Sequence, residues 1–280
     1  IVAISSYASY FWQPIMNLGN IFNNFINNIA YLERIFETID EPVTVKDAPD
    51  AVPMPKIRGQ VEFDHVKFAY DASKTILKDV SFTVNPGESV ALVGPTGAGK
   101  STIVNLISRF YNVNGGCIRI DGQDISKVTI RSLREQMGIM MQDSFIFSGT
   151  IEDNIRYGKL DATMEEIERA GKLVCADDFI SKMPDGYKTE VRERGSMLSQ
   201  GQKQLISFAR TVLSDPAILI LDEATSSIDV QTEKALQTGL NAMLVGRTSF
   251  IIAHRLSTIR GCDKIMYIDD GGIMEAGTHE

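Results

Sequence analysis

The feature that most constrains this fold is a glycine-rich octapeptide, GPTGAGKS at residues 94–101, between an apolar run and an amphipathic segment. The run SVALVG has the composition of a buried strand, and the segment that follows places Ile103, Ile107 and Phe110 on one helical face. The spacing G-x-x-x-x-G-K-[ST] between strand and helix is typical of a loop whose backbone N–H groups surround a phosphate. An ordinary glycine-rich turn is the alternative, and the complete spacing favours nucleotide binding.

The polar side chains near this loop have separable expected roles. Lys100 would place a positive charge between the β- and γ-phosphates, and Ser101 would offer its hydroxyl to Mg²⁺. A later apolar strand, AILIL, leads into Asp222 and Glu223. Asp222 is expected to hold Mg²⁺ through water, and Glu223 stands where a general base for an attacking water could act. The alternative for this pair is a solvated acidic turn at a strand end.

Hydrophobic periodicity elsewhere predicts a mixed α/β fold. Alternating residues in 61–63 and 80–84, followed by the turn NPGE, indicate a small antiparallel sheet. The continuous apolar runs AILIL, SFIIA and KIMYI favour strands buried on both faces of a parallel sheet. Residues 142–214 are mainly helical in pattern, with helices at MEEIERAGKLV and QKQLISFARTVL. We therefore predict a P-loop NTPase core: a mostly parallel sheet flanked by helices, with an N-terminal antiparallel β lobe and an inserted helical subdomain at about 143–214.

The first 32 residues carry no charged side chain. Their apolar start is followed by Asn20, Asn24, Asn27 and Asn28 at helical spacing, so the apolar part is shorter than the roughly 20 residues a membrane span needs. Hydropathy alone leaves two alternatives, an amphipathic soluble helix or the cytoplasmic end of a truncated transmembrane helix. The prolines of residues 41–56 then predict an extended linker and a domain boundary. Because the chain starts without Met inside an apolar run, we interpret it as a segment of a longer protein.

Composition excludes some partners. The formal net charge is −8 and the basic residues form no block, so a bulk electrostatic affinity for nucleic acid or anionic membrane is not expected. The cysteines Cys117, Cys175 and Cys262 are scattered and form neither a CxxC pair nor a disulfide framework. That usage is typical of a reducing cytosol.

Taken together, five stretches in this order resemble the nucleotide-binding domain of ABC transporters of the exporter type. The stretches are GPTGAGKST, MMQDSFIFSGTI, LSQGQKQ, ILILDEATSSID and IIAHR. The resemblance covers about residues 57–280, and residues 1–40 resemble the end of the last membrane helix of such exporters. It therefore favours the truncated transmembrane helix for residues 1–40, followed by the linker at 41–56 and the ATPase domain at 57–280.

The resemblance also implies a function for a second helix start, SMLSQGQKQL. In this family two domains pair head to tail, and the signature helix of one covers the ATP held by the phosphate loop of the other. In this chain the signature residues Ser199, Gln200, Gly201 and Gln202 would contact the partner's γ-phosphate in trans. Gln200 stands where LSGGQ, the commoner form, has a glycine. An ordinary helix start is the alternative.

Further positions follow from the resemblance individually. Tyr70 resembles the aromatic residue that stacks on adenine, although a tyrosine there could equally be a core strand residue. Gln142 resembles the glutamine that touches Mg²⁺ and the attacking water; the alternative is a polar surface residue. His254 resembles the histidine that bonds the γ-phosphate; the alternative is a structural histidine. Asp229 resembles the end of the loop that links the two sites.

These assignments give three predicted sets of site residues. The predicted nucleotide-binding set is Tyr70, Gly94, Pro95, Thr96, Gly97, Ala98, Gly99, Lys100, Ser101 and Thr102. The catalytic set is Glu223, His254, Gln142 and Lys100, and the metal set is Ser101, Gln142 and Asp222.

The resemblance implies an ATP- and Mg²⁺-dependent motor domain of an exporter. Its implied partners are a second nucleotide-binding domain, identical or related, and its own transmembrane domain, with this domain on the cytoplasmic side of a cell membrane and no nucleic-acid partner. Phe145 and Phe147 are candidates for transmitting motion to the membrane domain, or alternatively pack within the helical lobe. A soluble ABC-type ATPase acting on nucleic acid or ribosomes, and a regulator that does not hydrolyse ATP, are the rival functions. The cargo is not specified by these residues.

Overall fold

The computed structural model describes residues 2–71, 73–141, 145–192, 195–222, 230–253 and 256–279. The chain forms two compact units, Ile1–Thr44 and Val45–Glu280. The first unit contains one helix, α1 (Val2–Ile39), with Pro14 inside it. Large side chains such as Trp12, Phe22 and Phe25 are exposed on it. Within the described ranges, we find no helix with the length and apolar character that crossing a membrane requires.

The second unit contains two larger sheets and an inserted group of helices. In chain order its helices and strands are β1 (Val61–Ala69), β2 (Thr75–Val84), β3 (Ser89–Val93), α2 (Lys100–Ile107), β4 (Gly115–Ile120), β5 (Gln123–Asp124), α3 (Ile130–Arg134), β6 (Met137–Met140), β7 (Gly149–Thr150), α4 (Ile151–Arg156), α5 (Met164–Leu173), α6 (Asp177–Ile180), β8 (Glu190–Val191), α7 (Gln200–Leu213), β9 (Ile218–Asp222), α8 (Val230–Leu244), β10 (Thr248–Ile252), α9 (Leu256–Arg260), β11 (Lys264–Asp269) and β12 (Gly272–Gly277).

The predicted antiparallel lobe is confirmed as a four-stranded sheet in the order β2-β1-β4-β5. Its inward residues alternate along β1 and β2, and the rings of Phe63 and Phe82 stack 4.5 Å apart between them. This alternation is what a sheet with one solvated face requires.

The predicted parallel sheet is also confirmed. Six strands lie in the order β12-β11-β3-β10-β9-β6, and all neighbours are parallel except the antiparallel edge strand β12. Successive residues of β9 join different hydrophobic clusters: Ile218 and Ile220 pack toward α2, and Leu219 and Leu221 pack toward the inserted helices. A strand with a core on each face has no polar side to alternate with, which explains the continuous apolar runs.

The structure corrects two sequence expectations. The run KIMYI, predicted to be buried on both faces, becomes β11, in which Met266 and Ile268 are buried but Tyr267 is 39% exposed. Ile265, on the same face of β11 as Tyr267, packs against the second hydrophobic cluster, so this face is covered near the start of the strand and open at Tyr267, one strand in from the described edge of the sheet. Phe110 does not continue the face of α2, because the helix ends at Ile107 and Phe110 lies beyond it, partly exposed.

The inserted helical subdomain lies between β6 and β9, as predicted. Its helices α4 and α5 each begin with a capping box, in which Thr150 pairs with Asp153 and Thr163 pairs with Glu166. Such reciprocal bonds satisfy N–H groups that a helix start leaves without partners. A short antiparallel pair, β7 with β8, also lies here and is not evident from the sequence pattern.

The start of the central strand β3 is fixed by a carboxylate. Asp263 accepts hydrogen bonds from the Ser89 hydroxyl at 2.6 Å and the Ser89 amide at 2.8 Å, and its own amide donates to the Ser89 hydroxyl at 3.0 Å. The hydroxyl bond and then the amide bond from Ser89 lower the pKa of Asp263 below its ordinary value of 3.8. These bonds join the beginnings of β3 and β11.

We predict that Ser89→Ala lowers the free energy of unfolding at pH 7 by about 1 kcal/mol, because the buried Ser89 hydroxyl loses its bonds to the charged but exposed Asp263. A carboxylate with a depressed folded-state pKa contributes stability above its unfolded pKa and loses it as pH falls through the folded value. The difference in free energy of unfolding between wild type and variant should therefore be complete at neutral pH. It should shrink below pH 3.8, the ordinary pKa of Asp263. Urea unfolding as a function of pH measures it.

The matched control is Ser126→Ala, which removes an exposed hydroxyl that donates to Asp124. It should change the free energy of unfolding by less than about 0.5 kcal/mol. A difference for Ser89→Ala that stays constant down to the lowest pH would contradict the role given to the Asp263 charge.

Candidate functional site

The loop between β3 and α2 curls as the glycine spacing predicts. Gly94, Gly97 and Gly99 have φ values of +147°, +84° and +107°, a region that L side chains rarely adopt. A Cβ at Gly94 would lie 2.0 Å from the carbonyl oxygen of Ile268, whereas one at Gly97 would meet no described atom within 4 Å. Gly94 is therefore required by close packing, whereas Gly97 is exposed and borders open space.

The amino end of α2 is open. Its N-cap residue is Gly99, which has no side chain to accept the first helical N–H groups. The helix start therefore keeps free donors and the positive end of its dipole, the combination that binds anions. Ser101 is exposed in the first turn of this helix.

Lys100 adds a cation at the same place. Its side chain is buried, and its ammonium donates to the carbonyl oxygens of Gly94 and Pro95 at 2.8 Å each. Burial lowers the pKa of the Lys100 ammonium, and the negative charge of Asp222 opposes that shift. The ammonium is thus positioned within the loop by backbone carbonyls rather than by a carboxylate at contact distance.

Asp222 ends β9, two strands away from β3 across the parallel sheet. Together with Ser101 it offers one carboxylate and one hydroxyl near the phosphate loop. Among the described residues, no three His, Cys, Asp or Glu side chains converge as a metal cage. A small oxygen donor set of this kind suits Mg²⁺, which keeps several waters and is commonly held by one or two carboxylates and substrate phosphates. The residues present therefore fit a magnesium ion that binds with the nucleotide.

Tyr70 lies beside the first turn of α2. Its hydroxyl is 3.2 Å from the Thr102 hydroxyl, and its ring packs edge-on against Phe68 and Tyr111 at 4.9 Å each. The ring is 49% exposed, so the alternative of a core strand residue is not what the structure shows. About half of the Tyr70 surface is exposed near the phosphate loop, and its role toward adenine stays a prediction.

The predicted second helix start is confirmed: α7 begins at Gln200 with Ser199 as its N-cap. The Ser199 hydroxyl accepts from the Gln202 amide at 3.3 Å, and the Gln202 side chain accepts from the Ser199 amide at 2.9 Å. Ser199 and Gln200 are exposed, whereas Gly201 is buried. The box uses the Gln202 amide, so the amides of Gln200 and Gly201 are the donors left for a ligand.

The structure does not bring the two helix starts into one site. The apolar residues of α2 belong to the cluster shared with the antiparallel sheet, and those of α7 belong to the cluster with the inserted helices. The parallel sheet separates these clusters. The anion-binding ends of α2 and α7 are therefore on helices that pack against opposite faces of the sheet.

Four predicted site residues, Gln142, Glu223, Asp229 and His254, lie outside the described residues. The sequence places Glu223 directly after Asp222, and Gln142 two residues after β6. Their predicted roles stay predictions.

Sequence reasoning missed two residues that hold the segment after Gln142. Asn154 is buried, and its side chain accepts from the Phe147 amide and donates to the Phe147 carbonyl, both at 2.9 Å. Arg210 donates to the Phe145 carbonyl at 3.1 Å and lies over the Phe147 ring at 5.4 Å. Phe145 and Phe147 contact each other edge-on and stay 54% and 40% exposed. In the sequence, Asn154 lies at helical spacing from the apolar Ile151, and this placement on an apolar helix face is the signal that could have indicated a buried polar group.

Comparison with known proteins finds consistent similarities. The model of a family described as "ABC transporter" matches residues 77–226. "Uncharacterized ABC transporter ATP-binding protein YknV" of Bacillus subtilis (strain 168) is 52% identical over 279 residues, which are 100% of this chain and 46% of that protein. "ATP-binding cassette sub-family B member 6" of Homo sapiens is 46% identical over 279 residues, 100% of this chain and 33% of that protein. A solved structure of "a bacterial Atm1-family ABC exporter with ATP bound" has a TM-score of 0.82 at 43% identity, covering 99% of this chain and 49% of that one. The chain spans half or less of the length of these relatives.

We predict that Gly97→Ala mainly weakens anion binding, whereas Gly94→Ala mainly lowers the free energy of unfolding. Gly97→Ala should fold with a free energy of unfolding lower by about 1 kcal/mol, from the positive φ alone. It should weaken binding of inorganic tripolyphosphate about tenfold, because the added methyl enters the open curl. Titration calorimetry and urea unfolding measure both quantities.

Gly94→Ala is the contrasting variant. Its Cβ would clash with the backbone of Ile268, so the stability loss should exceed that of Gly97→Ala severalfold. Unchanged tripolyphosphate affinity in folded Gly97→Ala would show that the curl is not where the anion binds.

Proposed function

The chain belongs to the ABC transporter family, and from this premise we propose that it is the ATP-binding and ATP-hydrolysing motor of an exporter. The observation that carries the proposal is the open amino end of α2, enclosed by the glycine curl and supplied with the Lys100 ammonium. These groups are positioned before any ligand arrives, so binding a polyphosphate needs little reorganisation.

In the proposed complex the triphosphate lies along the residue 94–102 loop. Backbone N–H groups of the curl and of the first turn of α2 donate to phosphate oxygens. The Lys100 ammonium exchanges its bonds with the Gly94 and Pro95 carbonyls for bonds to the β- and γ-phosphates. The adenine ring stacks on the half-exposed Tyr70 ring, whose hydroxyl is held by Thr102.

Ser101 and Asp222, with Gln142, would hold the magnesium ion. When bound, Mg²⁺ neutralises charge on the phosphate oxygens. The contribution of Asp222 is its negative charge at the end of β9, which also acts on Lys100.

The second half of each site is proposed to come from another copy of this domain. Because α2 and α7 pack on opposite faces of the sheet, one chain has no evident way to place both helix ends on one phosphate. In a head-to-tail pair, the free amides of Gln200 and Gly201 and the Ser199 hydroxyl reach the γ-phosphate held by the partner's loop. Gln200 is exposed, so its side chain lies at this contact without disturbing the packing of α7.

Hydrolysis is assigned to residues at the ends of the parallel strands. Glu223 accepts a proton from the water that attacks the γ-phosphate in line. Lys100, His254 and the signature N–H groups stabilise the charge that spreads over the phosphoryl oxygens. ATP then favours the closed pair by contacts that exist only in that state, and hydrolysis removes them.

Coupling to a membrane domain is proposed at the exposed Phe145–Phe147 surface. Asn154 and Arg210 hold this surface in place directly after Gln142, so movement at the γ-phosphate has a short route to it. Residues 1–40 are proposed to be the end of a membrane helix, with the motor on the cytoplasmic side. The relatives named as transporters support this assignment over a nucleic-acid partner.

We predict that Glu223→Gln keeps ATP affinity but lowers turnover about 10²- to 10⁴-fold, the usual contribution of a general base. Because water attack is blocked, ATP should hold the variant as a dimer. In the wild type, turnover per chain should rise with protein concentration, since each site needs two copies. Phosphate release, with sedimentation to follow association, measures these effects.

Glu275→Gln, an exposed acid-to-amide change on β12, is the control and should behave as wild type. Full turnover in Glu223→Gln would show that Glu223 is not the general base. Full turnover by a demonstrated monomer at every concentration would contradict a site shared between two chains.

We predict that Tyr70→Ala weakens ATP binding about tenfold, because base stacking on an aromatic ring contributes about 1–3 kcal/mol. Tyr70→Phe keeps the ring and loses only the bond to Thr102, so its effect should stay below about threefold. Inorganic tripolyphosphate has no base to stack, so its affinity should be the same in both variants and the wild type. Equal losses for ATP and tripolyphosphate would contradict a stacking role.

A further inference from the structure

Residues 45–58, which we call the strap, pack along the second unit instead of leaving it as a free linker. Met54 and Ile57 of the strap are buried and join the cluster that contains α2. The Val52 amide donates to the Lys127 carbonyl at 3.1 Å, and the Thr129 amide donates to the Val52 carbonyl at 2.9 Å. The strap is thus paired with the chain just before α3.

Polar side chains of α3 and of the residue before β6 bond further backbone groups of the strap. The Ser132 hydroxyl accepts from the Met54 amide at 2.7 Å. The Gln136 side chain accepts from the Ile57 amide at 2.8 Å and donates to the Pro55 carbonyl at 2.9 Å. Ser132 is on α3 and Gln136 directly precedes β6, so the strap lies on the segment that leads toward Gln142.

Arg109 ends α2 in a conformation that normally selects glycine. Its φ is +52°, its amide donates to the Leu106 carbonyl, and the Phe110 amide donates to the Asn105 carbonyl. This pair of bonds is the Schellman termination, in which the left-handed position is usually glycine because a Cβ is unfavourable there. Helix termination alone therefore does not account for an arginine.

The Arg109 side chain connects this helix end to the strap. It is 3% exposed, and it donates to the Val128 carbonyl at 2.5 Å and to the Lys46 carbonyl of the strap at 3.1 Å. A strap carboxylate, Asp47, lies 3.9 Å from the guanidinium and also accepts from the Ile130 amide. The Arg109 Nε has no hydrogen-bond partner among the described residues. A buried cation with so few partners depends on those that the strap supplies.

A further arginine connects α3 to the carboxyl end of α2. Arg134 of α3 donates to the carbonyls of Ser108 and Arg109 at 3.0 and 2.8 Å. The carboxyl end of α2, the strap and α3 are therefore joined by arginine side chains and backbone carbonyls. The phosphate loop lies at the other end of α2, about 12 Å away for eight residues.

We propose that Arg109 is a positioning residue that couples docking of the strap to phosphate binding at the opposite end of α2. The inference rests on the proposed function, because the ligand at Lys100 is taken to be ATP. A docked strap fixes Arg109, and Arg109 fixes the last turn of a short helix whose first turn holds the phosphates. Docking and binding then favour each other by the same factor, as linkage requires.

The test is amide hydrogen exchange of Val52, Met54 and Ile57 in the full chain, without ligand and with Mg²⁺ and a non-hydrolysable ATP analogue. In wild type the analogue should slow exchange of these amides about threefold or more. In Arg109→Gly their exchange without ligand should rise about tenfold or more, and the response to the analogue should disappear. A helix-terminating role alone predicts the opposite, because glycine suits the positive φ better.

Controls keep the result specific. Arg131→Ala removes an exposed arginine of α3 whose partner in the described part of the chain is Glu135, and should leave strap exchange and its ligand response unchanged. If Arg109→Gly does not fold, Asp47→Asn, which keeps an acceptor for the Ile130 amide, should reduce the ligand response about twofold or more.

The proposal is overturned if strap exchange in folded Arg109→Gly matches wild type, or if the analogue still slows it. If Arg109→Gly does not fold, the proposal is overturned when folded Asp47→Asn keeps the full response of strap exchange to the analogue. Analogue binding is measured directly by calorimetry in every variant. Wild type that binds no analogue would refute the proposed function and the coupling, whereas wild type that binds it with no change at the strap would refute the coupling alone.

Discussion

The open amino end of α2 is the constraint on which the rest of this site depends. A glycine N-cap leaves the first helical N–H groups without side-chain acceptors, and Lys100 brings a buried ammonium to the same point. The Gly94 and Pro95 carbonyls and the charge of Asp222 offset part of this positive potential, and the tightly held loop backbone keeps the donors in place. Gly94 packs its α-carbon against the Ile268 carbonyl, and Asp263 fixes the start of β3, so the position of the loop follows from the centre of the sheet.

The sheet also keeps the amino ends of α2 and α7 apart, which is the basis of the proposed two-chain site. Its two faces carry separate hydrophobic clusters, with α2 in one and α7 in the other. Each helix presents an N-terminus at which an anion can bind, but the capping at the two ends differs. Gly99 leaves α2 fully open, whereas the Ser199–Gln202 box already satisfies part of α7. This difference fits a strong primary phosphate site and a weaker second contact that acts when another copy supplies the phosphate.

The two ends of α2 show which structural features the sequence can predict and which it cannot. The glycine spacing at residues 94–99 predicts the loop correctly, because positive φ values at fixed positions leave a signature in composition. At the other end, the left-handed residue is Arg109, so composition gives no sign of termination and Phe110 was wrongly continued along the helix face. The error at Tyr267 has a similar origin, since an apolar run does not reveal how close a strand lies to the edge of its sheet.

Sequence patterns were sufficient to predict the features whose physics is local: the phosphate loop, the buried strands, the antiparallel lobe and the helix starts. Turn geometry and hydrophobic period act over a few residues, so they can be read along the chain. Three further features depend on packing between distant segments. They are the contact of Tyr70 with Thr102, the placement of α2 and α7 on opposite faces of the sheet, and the docking of a proline-rich segment on Arg109 and Gln136. Those contacts join residues tens of positions apart, and their partners are set by packing rather than by any pattern within either segment.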